Sequence, residues 1–307
     1  MSDPQDVYGQ WCEPLDWTEF LSDGQDDSAN TWDIEPIAPR GSHVGIYAKQ
    51  GTGKSLLLLD GCAGLATGRS VFGNEPAPPL DVIYVDMENP ASDVRDRMLD
   101  FGYTATSDLK RLHYFHMSTL PPLDSEEGAL VLAAQVDRFG AKLVVVDTMA
   151  SNLAGPENDS DTYRRFHQHT GRRLRAAEVG LIRLDNPGKN PSRGQRGSSA
   201  KLDNLDLVWE MTETKGGTLV LTRGKHRVPW VPAIVRIHRE ELGDRIRHVV
   251  VPEALAEGTE ACAEVLDTLG LALDASVRQA MAALRGAGQG RRRDVVMAAL
   301  KHRRRPR

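Results

Sequence analysis

Cysteine is scarce in this chain of 307 residues: Cys12, Cys62 and Cys262 stand far apart. That spacing builds neither a disulfide framework nor a zinc pattern, and it suits a reduced, cytoplasmic setting. The opening residues, Met1-Ser2-Asp3-Pro4-Gln5-Asp6, lack a basic start and an apolar run, so they do not read as a signal peptide. No uninterrupted apolar stretch approaches the ~20 residues that cross a bilayer, so no membrane partner is expected. No internal repeat is evident. Nor is positive charge in excess: 38 Lys and Arg against 43 Asp and Glu give −5, which as a whole does not advertise nucleic acid. Hydrophobic residues make up 40%, enough for a substantial core in one large or two smaller domains.

The chain is organised around Ala48-Lys49-Gln50-Gly51-Thr52-Gly53-Lys54-Ser55. The apolar run Val44-Gly45-Ile46-Tyr47 precedes it and Leu56 to Leu59 follow, which reads as strand, glycine-rich loop and helix. This is a P-loop, or Walker A motif. A nucleotide's phosphates are strongly negative, so the loop must turn backbone N–H groups toward them. Gly51 and Gly53 permit the tight turn and the close approach. The helix starting near Lys54 points its positive end at the same place. Gln50 and Thr52 belong to the same cradle. Lys54 reaches the β and γ phosphates of ATP, and Ser55 puts its hydroxyl on Mg²⁺. Ala48 departs from the usual first glycine, a position where a small residue is tolerated.

The pattern predicts an α/β fold with a mostly parallel central sheet flanked by helices. Residues 1–40 form an acidic lead. Its tryptophans Trp11, Trp17 and Trp32 suit packing on the core, with base stacking as the rival use. The P-loop helix runs to about Ala66. Asp81-Val82-Ile83-Tyr84-Val85-Asp86 is a buried strand ending in acid, followed by Met87-Glu88-Asn89. A helix is expected from Ser92 to Phe101, with Ser92 near its cap. A strand is expected from Leu112 to Met117, then a helix opened by Asp124-Ser125-Glu126-Glu127 in capping-box style and closed at Gly140. Leu143-Val144-Val145-Val146-Asp147 is a buried parallel strand with a carboxylate at its C-terminal edge, where open α/β sheets bind ligands. It reads as the Walker B strand, with Asp147 holding Mg²⁺ through water. An arginine-rich helix spans Asp161 to Glu178, and Gly180 to Asp185 is another strand. The loop from Asn186 to Lys201 is rich in glycine, serine and cations: Lys189, Arg193, Arg196 and Lys201. It suits a backbone that grips nucleic-acid phosphates, or a merely flexible loop. Two hairpins follow, Leu207–Glu213 with Thr218–Thr222, and Ala233–Arg239 with Arg245–Val251. Lys225-His226-Arg227 follows the first. His113, His116, His167 and His169 read as packing or surface residues, leaving no metal site beyond Mg²⁺.

The motifs together resemble the RecA-like P-loop ATPases. Over about residues 32 to 250 the chain is similar to the hexameric helicase group of DnaB and RepA type, plasmid- and phage-type AAA ATPases. That resemblance rests on the P-loop, on Glu88, on Leu221-Thr222-Arg223-Gly224-Lys225-His226-Arg227 and on Gly194-Gln195-Arg196-Gly197-Ser198-Ser199-Ala200-Lys201. It implies that Glu88 polarises the attacking water, with Asp86 the rival for that role. It implies that Lys225 and Arg227 reach across a subunit interface to the neighbour's γ-phosphate. It implies a ring, a hexamer in that group, acting on single-stranded DNA in plasmid or phage replication. Relatives often place His or Gln as a γ-phosphate sensor where this chain has Asp185-Asn186; Asn186 can still bond a phosphate. The competing reading is an ATP-switched DNA-binding regulator or loader without translocation.

The expected organisation is therefore residues 1–40 as the lead, 41–252 as the ATPase domain and 253–307 as a basic helical segment. That last segment fits a small helix-turn-helix or winged-helix unit touching DNA, or a solubilising tail.

Overall fold

The computed structural model describes residues 17–18, 31–156, 159–186, 200–251, 258–273 and 275–303. The chain divides into two compact units, residues 1–251 and 252–307.

The first unit is built on a nine-stranded sheet. A small antiparallel pair, β1 (Trp32–Ile34) and β2 (Ala38–Pro39), precedes it. The sheet strands are β3 (His43–Tyr47), β4 (Val82–Asp86), β5 (Leu112–His116), β6 (Leu143–Asp147), β7 (Gly180–Asp185), β8 (Leu207–Glu213), β9 (Leu219–His226), β10 (Ile234–Leu242) and β11 (Arg245–Val250). Their order is β11-β10-β9-β8-β3-β7-β6-β4-β5. From β8 to β5 all neighbours are parallel; β9, β10 and β11 extend the sheet antiparallel. Near-continuous apolar runs make this possible. β3, β4, β6 and β7 are buried almost throughout, as strands covered on both faces must be.

Helix α1 (Lys54–Thr67) lies beneath the sheet and buries ten of its fourteen residues. Leu57, Leu58 and Leu59 are each at most 1% exposed, and burial of a leucine is worth about 1.5–3 kcal/mol. Helices α2 (Ala91–Asp100) and α3 (Glu126–Phe139) link β4 to β5 and β5 to β6. The connection from β6 to β7 holds α4 (Ser160–Phe166), a π-helical turn (His167–Gly171) and α5 (Arg172–Ala176). A short α6 (Ala200–Asp203) precedes β8.

Four local expectations need correction. Helix α2 begins at Ala91 behind Pro90, whose fixed φ suits a helix start, so Ser92 is not its cap. Ser125 caps α3 by accepting from the Gly128 N–H, but position N3 is Gly128, so no reciprocal capping box forms there. The arginine-rich helix is interrupted by its π turn. Strand β9 runs on through Lys225 and His226, because pairing with the start of β8 extends the ladder to Leu207.

The second unit consists, among its described residues, of three helices: α7 (Thr259–Thr268), α8 (Val277–Gly286) and α9 (Arg293–Arg303). They close around Cys262, Leu266, Ala280, Leu284, Val296, Ala299 and Leu300. A complete capping box, Ser276 with Gln279, fixes the start of α8. No strand occurs among the described residues of this unit, so they supply no wing.

Candidate active site

The parallel strands bring their C-terminal ends to one edge, where Asp86 stands opposite Asp147 and Tyr47 opposite Asp185. The loop after β3 turns through Gly51 and Gly53 at φ 81° and 89°. A Cβ at either would meet nothing within 4 Å, so the need for glycine is conformational. Gln50 and Thr52 lie in this turn, with the Thr52 hydroxyl donating to the Lys49 carbonyl. Ala48 packs into the core at 2% exposure, which is why its methyl group is accommodated.

Lys54 is 7% exposed. Its ammonium donates to the carbonyls of Ala48 (2.7 Å) and Lys49 (3.3 Å) and to Asn186 Oδ1 (3.3 Å). Burial lowers its pKa, while the charges of Asp147, Glu88 and Asp185 act to raise it.

Asp147 is fully buried. Its Oδ2 accepts from the Tyr84 hydroxyl at 2.8 Å, and its Oδ1 is buried with no partner among the described residues. Burial raises its carboxyl to about 6; the Ser55 and Tyr84 hydroxyls pull the other way. The Asp147–Thr148 peptide is cis. An orphaned carboxylate oxygen next to a serine hydroxyl suits a small hard cation. Among the described residues no three His, Cys, Asp or Glu side chains cluster as a metal cage.

The two candidate acids after β4 have separate surroundings. Asp86 Oδ1 accepts from the N–H groups of Glu88 (2.9 Å) and Asn89 (3.0 Å), while Oδ2 accepts from Asn89 Nδ2 and the Tyr114 hydroxyl. Every lone-pair direction of this fully buried group is engaged. Glu88 is exposed, and its Oε1 accepts from Thr148 Oγ1 (2.5 Å) and Ser151 Oγ (3.0 Å). Its Oε2 has no partner among the described residues. Asp86 therefore shapes the turn that presents Glu88.

Asp185 and Asn186 divide in the same way. Asp185, 3% exposed, faces Arg183 Nε at 3.1 Å and accepts from the Tyr163 hydroxyl at 3.3 Å. Asn186 alone turns to the P-loop lysine. Lys201, expected to contact nucleic acid, is 5% exposed with its ammonium 4.7 Å from the Tyr163 ring centroid. Its carbonyl accepts from Arg183. Lys201 is thus a core residue of this structure, a correction that follows from its cation–π seat. Lys189, Arg193 and Arg196 lie outside the described residues.

Lys225 and Arg227 are not brought to the P-loop. His226 pairs with Leu207, which opens β8 at the opposite edge of the sheet. A strand of this length separates the two edges by roughly 15–20 Å. There Lys225 Nζ donates to the Leu202 carbonyl at 2.6 Å, and Arg227 pairs with Asp206 at 3.6 Å. Asp206 also accepts from the His43 N–H and from Arg175, both at 2.9 Å.

A cleft of about 200 Å³ adjoins the P-loop, walled by Glu213, Arg239 and His248. Sequence reading missed all three: Glu213 ends β8, and Arg239 and His248 arrive from the antiparallel extension, where His248 is held by Asp60 on α1 at 2.8 Å. A larger cavity of about 540 Å³ lies at the opposite edge, among Asp33, Arg40, Lys142 and Arg175, and touches no P-loop residue. The smaller cleft is the one that the P-loop glycines line.

A family model described as AAA domain matches residues 12–190. This chain belongs to that family. Its fold is the RecA-like α/β fold of P-loop ATPases. The flagellar accessory protein FlaH from Methanocaldococcus jannaschii is similar in structure over 70% of this chain and 91% of that one, at 16% identity and a TM-score of 0.50. A KaiC-like protein from Pyrococcus horikoshii OT3 matches over the same shares at 18% identity and a TM-score of 0.49. At such identities the likeness is one of fold. No curated protein matches the chain. Among the described residues no helix is long and apolar enough to cross a membrane.

Proposed function

We propose that this ATPase hydrolyses ATP with Mg²⁺ as a ring of identical subunits and acts on single-stranded DNA as a helicase-type motor. The P-loop amides and Lys54 hold the phosphates. Ser55 and Asp147 hold Mg²⁺, which neutralises charge on the phosphate oxygens when bound. Glu88 takes the attacking water on Oε2 while Thr148 and Ser151 fix its Oε1, and Asp86 is too fully bonded to serve instead. Asn186, in reach of Lys54, responds to the γ-phosphate. Lys189, Arg193 and Arg196 would supply the DNA contacts.

The observation that carries the reading is the placement of Lys225 and Arg227. They stand at the sheet edge opposite their own P-loop, so a role in phosphate chemistry must be played on another subunit. A finger of this kind is worth on the order of 10³-fold or more in rate.

The test is ATPase rate per subunit against protein concentration, with and without single-stranded DNA. The rate should climb with concentration and climb further with DNA. Arg227→Ala should abolish that rise and leave nucleotide binding intact. A rate flat in both variables sinks the ring-motor reading; binding lost in Arg227→Ala refutes the role in trans.

A further inference from the structure

The chain's charge is divided far more sharply than its total of −5 shows. Residues 276–307 hold ten of the 38 Lys and Arg but one of the 43 Asp and Glu, a net +9 against −14 for residues 1–275. Most of that basic stretch lies in the three-helix unit, and the structure sorts its arginines by use. Arg303 is turned inward: its Nε donates to Asp267 Oδ1 at 2.7 Å, its guanidinium also meets the Leu271 carbonyl, and its side chain is 4% exposed. It serves the fold. Arg278, Arg285 and Arg293 are exposed and make no ion pair among the described residues.

Their spacing is regular. Arg278 and Arg285 are seven residues apart on α8, two turns along one face, with the exposed Ala282 between them. The two guanidinium stems leave the helix roughly 10 Å apart, comparable with the ~12 Å width of the B-DNA major groove. Beyond a glycine-rich turn, Ala287-Gly288-Gln289-Gly290, the start of α9 adds Arg293 to the same basic stretch. Cations in a first turn oppose the helix dipole, an arrangement that an anionic partner relieves.

We propose that the C-terminal three-helix unit is a docking surface for duplex DNA, gripping phosphates through Arg278, Arg285 and Arg293. Composition decides the kind of partner. Residues 252–307 contain no Phe, Tyr or Trp, so the unit has no platform on which unpaired bases could stack. It likewise lacks the aromatic anchors of helices that lie on membranes. The B-form major groove admits a helix, whereas the narrow major groove of duplex RNA does not. This surface shares no residue with the P-loop site, and the proposal does not depend on the motor reading.

The experiment measures full-length protein binding to a labelled 30-base-pair duplex between about 50 and 200 mM salt. A 30-nucleotide single strand and anionic lipid vesicles are run in parallel. Wild type should bind the duplex with a steep salt dependence. The variant Arg278→Gln/Arg285→Gln/Arg293→Gln should bind at least about tenfold more weakly, with its log–log salt slope reduced by about 3, while helix content and basal ATPase rate stay unchanged. Lys54→Ala should lose ATPase activity and keep duplex binding. Wild-type affinity and slope in the triple variant would overturn the proposal. So would a triple variant whose binding to the single strand or to vesicles falls as much as its binding to the duplex.

Discussion

Asp86 and Asp147 are adjacent carboxylates at the ends of paired strands, both fully buried, and their hydrogen bonds assign them opposite work. Asp86 is saturated by four donors, whereas Asp147 keeps one oxygen open. The contrast gives a pair of substitutions with separable outcomes. In Glu88→Gln the amide oxygen can still accept from Thr148 and Ser151, so stability should stay within about 0.5 kcal/mol while turnover falls about 100-fold or more. In Asp86→Asn a donor would face the Asn89 amide, so stability should fall by about 1–3 kcal/mol as the Glu88 turn loosens. Chemical denaturation and single-turnover kinetics on both variants check this. A Glu88→Gln enzyme that turns over normally would remove Glu88 from the chemistry. The P-loop and Asp147 were legible in the sequence because each is marked by its own neighbours, glycines beside a lysine or an acid closing an apolar run; Glu88 was singled out through the family resemblance. Tyr84, Tyr114, Thr148 and Ser151 were not, since what each touches is set by the register of parallel strands far apart in sequence. The same holds for Lys201, whose cation–π seat depends on Tyr163 from another element.

At the level of elements, the sheet was readable wherever a strand is buried on both faces, because such strands are continuous apolar runs. The full extent of β9 was not, since its last residues are polar and are held by the ladder to β8. The π turn in the arginine-rich helix has no compositional mark. Strand β8 is the hinge between the parallel and antiparallel halves, and Trp209 shows how it is fixed. Trp209 is fully buried, and its Nε1 donates to the Ile37 carbonyl at 2.8 Å, tying the sheet to the turn between β1 and β2. Trp209→Phe removes that donor and part of the packed volume. It should cost about 1–3 kcal/mol, seen as a lower urea midpoint with an unchanged slope. A midpoint equal to wild type would mean that the lead is not anchored through this bond.

For the whole molecule, the buried ionisable groups make stability a matter of pH and of metal. Burial pushes Asp33 and Asp147 each up to about 6. Unfolded aspartates titrate near 3.8, so both groups favour the folded state most below about pH 4, and that contribution is lost as pH rises through about 6. His43 works in the other direction. Burial and Arg175 lower it to about 3, so its contribution is present above about 6.5 and is lost as pH falls. These opposed terms flatten the bare protein's pH profile, which makes metal the clearer probe. If Asp147 holds Mg²⁺, protons and metal compete for the same carboxylate. The Mg²⁺-dependent part of the melting-temperature rise with ADP should then be large at pH 7.5 and much smaller at pH 5. One unit below an apparent pKa of about 6, affinity falls about tenfold, or about 1.4 kcal/mol. Asp33→Asn should shift the baseline stability and leave the Mg²⁺ response as in wild type, because Asp33 lines the cavity at the far edge. Asp147→Asn should lose most of the response, and what remains should no longer carry the titration near pH 6. A Mg²⁺ response of equal size at both pH values in wild type would place the metal on other ligands.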